Sequence, residues 1–132
     1  MSTTTLDRLC AYLDTALEGD ADVWRNSLPA GYDNTEAACV VSLQSEAHHQ
    51  SRADRDVRFE VRVYGGSVQS TEAALLGEEV IDLLNNAYSN ALYIQRIGEI
   101  VGQELPPEPV TGWPSYRITG RMLMTNQTLG GS

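Results

Sequence analysis

Histidines, paired acids and cysteines are where chemistry would first be sought in this chain. His48 and His49 are its two histidines, with Glu46 just before them, a combination that suggests metal ligation. Neighbouring side chains on an extended segment point to opposite faces, so the two imidazoles cannot close on one ion. A solvated loop tip is the expected setting instead. Glu78 and Glu79 could act as an acid and base, but they fall on a helix face with no nucleophile or base in register. Cys10 and Cys39 are too few and too far apart for a disulfide framework or a zinc site. Each sits in an apolar run, which predicts core thiols. No nucleophile elbow, Walker loop or dinucleotide glycine pattern occurs, and "YGGS" reads as a turn. The residues therefore predict no catalytic group, no metal and no cofactor.

What remains is a set of surfaces. In "DVRFEVRVYGG" (Asp56 to Gly66), Val57, Phe59, Val61 and Val63 alternate with Arg58, Glu60, Arg62 and Tyr64, the period of a half-buried strand. Near the end of the chain "SYRITGRMLMT" (Ser115 to Thr125) alternates Tyr116, Ile118, Met122 and Met124 with Arg117, Thr119, Arg121 and Leu123. If the two strands share a sheet, Arg58, Glu60, Arg62, Arg117 and Arg121 share its polar face. An opposite charge is available on a helix, where Glu72, Glu78, Glu79 and Asp82 have no compensating base. A basic sheet meeting a neighbour's acidic helix is a heterologous contact, which closes a ring when repeated about an axis. The arginines could equally be salt-bridged within the monomer, where each pair is worth little.

These surfaces need elements to carry them. Leu6, Leu9, Cys10, Leu13 and Leu17 follow at helical spacing behind Thr4 and Asp7, close to a capping box, and predict a first helix that "EGDAD" ends. Residues 23–36, broken by Pro29 and Gly31, read as an irregular connection whose Trp24, Leu28 and Tyr32 either tuck against the core or form an exposed partner-binding ridge. "AACVVSL" (Ala37 to Leu43) and the strand from Asp56 form a hairpin. Its long polar tip, about residues 44–55, is expected to be mobile and to offer His48, His49, Arg52 and Arg55 as contacts. "STEAALLGEEVIDLLNNAY" (Ser70 to Tyr88) is a second amphipathic helix with Ala73, Leu76, Val80, Leu83 or Leu84, and Tyr88 inward. Gly77 within it marks close packing or a tolerated defect, costing about 1 kcal/mol against alanine. "ALYIQRIGEIVG" (Ala91 to Gly102) reads as a strand with a kink or bulge near Gly98, followed by a proline-stiffened loop. The tail from about 126 to 132 is expected to be flexible. The order predicts a single α+β domain over residues 1–132, with a mainly antiparallel four-stranded sheet and two helices packed on one face.

Composition narrows the class further. The 132 residues carry a formal net charge of −9, against the concentrated basic patch that a dedicated nucleic-acid binder needs. All the basic residues are arginine, which favours planar interface contacts but also reflects a GC-rich genome. No apolar run approaches the roughly 20 residues of a membrane helix, and "MSTTTLDRLC" lacks the features of a signal peptide, so a product assembled in a cytoplasm is expected.

The succession "VRFEVRVYG", "A..LGEEVIDLL", an isoleucine-rich segment, a proline loop and "YRITGRMLM" resembles the tail terminator and tail-completion proteins of long-tailed bacteriophages and the related gene transfer agents. The resemblance spans about Asp56 to Thr125, with the leading helix in the expected place. It implies a structural virion protein that assembles as a six-fold ring on the tail tube, stops polymerisation and docks the head-completion or stopper protein. It further implies contact with the tail tube protein and the tape measure protein, with genomic DNA only as cargo passing through an acidic lumen. Arg58, Glu60, Arg62, Arg117 and Arg121 become contacts with neighbours or tube, and Glu72, Glu78, Glu79 and Asp82 the complementary or lumen surface. Competing readings are a head-to-tail adaptor of the neck and, in another class, a small ligand-binding or enzymatic domain with a pocket beside the Pro106 to Pro114 loop.

Overall fold

The structure, a computed structural model of the chain, describes residues 5–48, 54–67, 69–86 and 94–125. Its elements run α1 (Thr5–Ala16), β1 (Asp22–Arg25), β2 (Ala38–His48), β3 (Asp54–Tyr64), α2 (Ser70–Asn85), β4 (Ile94–Leu105) and β5 (Ser115–Thr125). The strands form one sheet in the order β1-β2-β3-β5-β4. All pairings are antiparallel except β1 with β2. The α+β class stands, and both helices cover the same apolar sheet face.

That face follows from alternation. Val57, Phe59, Val61 and Val63 of β3, Cys39 and Val41 of β2, and Ile118 and Met122 of β5 are buried in one cluster. Leu9, Cys10, Leu13 and Leu17 from the α1 end, with Leu76, Val80 and Leu84 from α2, complete it. Complete burial of side chains of this size contributes about 1.5–3 kcal/mol each, so this layer is what holds the helices down. Burial pushes the Cys39 thiol up to about 12, with Glu79 adding to the effect. Both cysteines are free and buried.

Two sequence expectations fail here. The sheet has five strands, because Asp22 to Arg25 inside the supposed irregular connection pairs parallel to Ala38 to Val41. Four residues are too short for periodicity to announce, and the partner lies beyond a twelve-residue excursion. Trp24 consequently sits on an edge strand and is 36% exposed, rather than tucked into the core. The hairpin tip is also much shorter than residues 44–55. β2 and β3 stay paired to His48 opposite Arg55, across a register shift between Leu43 and Ser45. Backbone pairing needs no apolar side chains, so a polar strand reads as a loop. Of the expected tip contacts, His48 and Arg55 thus occupy strand register positions, while His49 and Arg52 lie outside the described residues, as do Thr4, Tyr88 and the tail from 126.

The bulge expected near Gly98 is present: the β4–β5 register shifts between Gly98 and Val101, and Glu99 takes φ 54°. Gly77 is a packing glycine, since a Cβ there would run into the Tyr116 ring. The same ring closes against Gly102 of β4, so Tyr116 fits only between two residues that lack side chains.

Asn34 anchors the segment between β1 and β2. It is 5% exposed and takes φ 59°. Its Nδ2 donates to the Ser67 carbonyl at 2.9 Å, and its Oδ1 accepts from the Gly66 N–H at 3.1 Å and the Tyr32 hydroxyl at 3.2 Å. This ties the excursion to the β3–α2 turn.

Candidate functional site

The face of the sheet away from the helices is built of rows. Register places Arg62 of β3 opposite Arg117 of β5, which is opposite Gln103 of β4. The next row is Glu60, Thr119 and Val101, and the one after is Arg58, Arg121 and Gly98. The sequence-predicted arginines therefore do converge on one surface. They arrive as directly opposed like charges, an arrangement that is unfavourable unless carboxylates intervene.

Two carboxylates do. Glu60 Oε1 lies 2.8 Å from Arg117 Nε, and its Oε2 lies 3.5 Å from a terminal nitrogen of Arg62. The Arg117 contact is an ion pair without a formed hydrogen bond: the Nε atoms of both Arg62 and Arg117 are buried and have no hydrogen-bond partner. One glutamate thus serves two guanidiniums incompletely. Arg121 grips Asp56 with two nitrogens, Nε to Oδ1 at 2.8 Å and a terminal nitrogen to Oδ2. The Asp56 carboxylate, helped by Glu99, holds the Arg121 pKa above its ordinary value. Arg58 is exposed and has no ion pair among the described residues. Internal salt bridging therefore accounts for Arg62, Arg117 and Arg121 and leaves Arg58 over. These pairs are partly solvent-exposed, Glu60 least so at 18%, and each is worth on the order of 1 kcal/mol.

An aromatic group that the sequence reading did not assemble closes one end of this face. Tyr32, Tyr64 and Trp113 pack edge to face with centroids 5.5–6.5 Å apart. Tyr32 therefore rests on the polar face and not in the core. The Tyr64 hydroxyl donates to Glu108 at 2.9 Å. Burial, with that hydrogen bond to Glu108, pushes Tyr64 up to about 12, and burial does the same to Tyr32. The three residues come from three separate segments, so only their aromatic character was visible in the chain.

Glu72, Glu78, Glu79 and Asp82 are all exposed on α2, on the side of the domain away from the arginine rows. Glu79 lies seven residues, two turns, beyond Glu72, and Asp82 lies four and three beyond Glu78 and Glu79, which puts all four on one face of the helix. No group of His, Cys, Asp and Glu among the described residues could hold a metal ion. No described helix is long and apolar enough to cross a membrane. The hollows beside the arginine rows are shallow: one of about 240 Å³ touches Asp56, Glu99 and Arg121, and one of about 180 Å³ touches Val101, Gln103, Arg117 and Thr119. Neither contains a nucleophile beside a base.

No family profile matches the chain, and no curated protein does. Among solved structures it is similar to the sheath/tube terminator of an extracellular contractile injection system, determined in the extended state. The TM-score is 0.47 at 12% identity, over 95% of this chain and 58% of that one. This chain therefore spans little more than half the length of that protein.

Proposed function

We propose that this chain is a structural protein of a phage-type tail, a terminator that caps the tail tube as a ring of identical copies. The observation that carries the reading is the placement of unlike charge on opposite sides of one small domain. Arginine rows occupy the sheet face, and four exposed carboxylates occupy the far side of α2. Unlike patches on opposite sides favour head-to-tail association, which closes when the rotation between copies divides a full turn. The sequence resemblance over residues 56–125 supplies the class of assembly, a six-fold ring.

In this reading the work is mechanical. Copies lock to one another and to the last ring of tube protein, which blocks further addition, and the opposite surface receives the head-completion or stopper protein. Acids facing the lumen repel the phosphate backbone, so the genome passes without adhering. The assembled protein belongs to the virion.

Mass measurement of the purified chain, with and without tail tube protein, tests the proposal. Rings that form on the tube and halt its growth are expected. A monomer indifferent to the tube, which continues to lengthen in its presence, would overturn it.

A further inference from the structure

Each charged surface has an exposed apolar residue at its centre. Leu75 is 57% exposed on α2 and Val101 is 58% exposed on β4. Leu75 follows Glu72 by three residues and precedes Glu78 and Glu79 by three and four, so the acids bracket it on one helix face. Val101 pairs with Thr119, and the row they share lies between the rows of Arg117 and Arg121. One surface is a leucine between carboxylates, and the other is a valine between guanidiniums, with Glu60 in the valine's own row pairing Arg117 and Asp56 pairing Arg121.

The spacings agree. Along α2 the rise from Glu72 to Leu75 is about 4.5 Å and from Leu75 to Glu79 about 6 Å. Along β5 the rise from Thr119 to Arg117 or to Arg121 is about 7 Å in each direction. A helix laid parallel to β5, with its leucine over the Val101–Thr119 row, brings an acid within reach of an arginine on each side. The hollow of about 180 Å³ touching Val101, Gln103, Arg117 and Thr119 lies where that leucine would settle. An apolar centre with a charged rim is the usual anatomy of a protein interface.

The geometry points to a copy-to-copy contact in which Leu75 of one chain seats on Val101 and Thr119 of the next, with the α2 acids meeting Arg117 and Arg121. The contact rests on head-to-tail self-association as proposed above, and adds the anchor that fixes its register. The two anchors lie on opposite sides of the domain, so one chain can use both at once. That makes the contact open-ended until the ring closes.

Cysteine cross-linking of the full chain tests it, since Cys10 and Cys39 are buried and do not compete. Leu75→Cys and Val101→Cys chains are prepared separately, oxidised alone and as a mixture, and weighed by mass photometry and non-reducing electrophoresis. Disulfide dimers are expected in the mixture and in neither chain alone, and the doubly substituted chain should give a longer covalent series. Association without the mixed disulfide overturns the contact, as does failure to associate up to the solubility limit. Cross-linked rings that do not cap a tube would sink the terminator reading and leave the contact standing. Capping without the cross-link would do the reverse.

Discussion

The ring of Tyr116 occupies the space that a side chain at Gly77 would need. Helix α2 is thereby held against β5 by the absence of an atom, and the helix accepts the weak propensity of glycine to gain that approach.

Gly77→Ala should therefore destabilise, although alanine is the better helix former. Overpacking of this kind costs about 1–3 kcal/mol, while the propensity gain returns about 1 kcal/mol. A net loss of about 1 kcal/mol is expected in the urea midpoint, relieved when Tyr116→Leu is added. A raised midpoint for the single substitution would show that the ring does not constrain α2.

Asn34→Ala removes three hydrogen bonds and leaves alanine in a left-handed conformation. With roughly 0.5–1.5 kcal/mol per bond, the expected loss is about 1.5–4.5 kcal/mol in equilibrium unfolding. Hydrogen exchange at the Gly66 amide should quicken more than exchange in β3. Equal acceleration of both would mean that Asn34 supports the whole sheet and not the local tie.

Arg58→Glu and Arg62→Glu separate surface from scaffold. Arg58 has no ion pair among the described residues, so its reversal should leave stability within about 0.5 kcal/mol of the parent. Self-association should weaken sharply, and added salt should mask the difference. Arg62→Glu sets a second carboxylate beside Glu60 and should also cost about 1 kcal/mol of stability. Native mass spectrometry with circular dichroism reads both effects. Unchanged association in Arg58→Glu would remove that arginine from the contact.

Alkali should unfold the domain through buried acids. Cys39 rises from 9.0 to about 12 in the fold, and Tyr32 and Tyr64 rise from 10.0 to about 12. A raised folded-state pKa contributes stability below the unfolded value and loses it as pH climbs through the folded one. Thermal midpoints should thus be level near neutrality and fall from about pH 9 towards about pH 12, with tyrosinate absorbance appearing together with unfolding. Tyrosinate forming in a still-folded protein near its ordinary pKa would contradict the burial of Tyr64.

Most of this architecture was legible because it is local. Val57 to Val63 and Leu9 to Leu17 declare their inward faces by period alone, and Gly98 marks its bulge by flanking β-branched residues. The common face of Arg58, Arg62, Arg117 and Arg121 is legible, because alternation settles which way each points once the strands share a sheet. Their partners were not legible. Asp56 with Arg121 and Glu60 with Arg117 depend on the β3–β5 register, a relation between segments some 60 residues apart. β1 leaves no periodic signal because its stabilisation comes from β2's backbone. The Tyr32–Tyr64–Trp113 cluster is likewise a product of topology.

The positive φ of Glu99 gives the outer border of the sheet a further role. β4 is a twelve-residue edge, and a straight edge of that length invites backbone pairing with any extended chain it meets, the route to fibrils. The irregularity from Gly98 to Val101 interrupts the ladder midway and disfavours uninterrupted stacking. Such an edge offers an approaching strand no continuous template, so the kink that spoils the ladder also guards the border it interrupts.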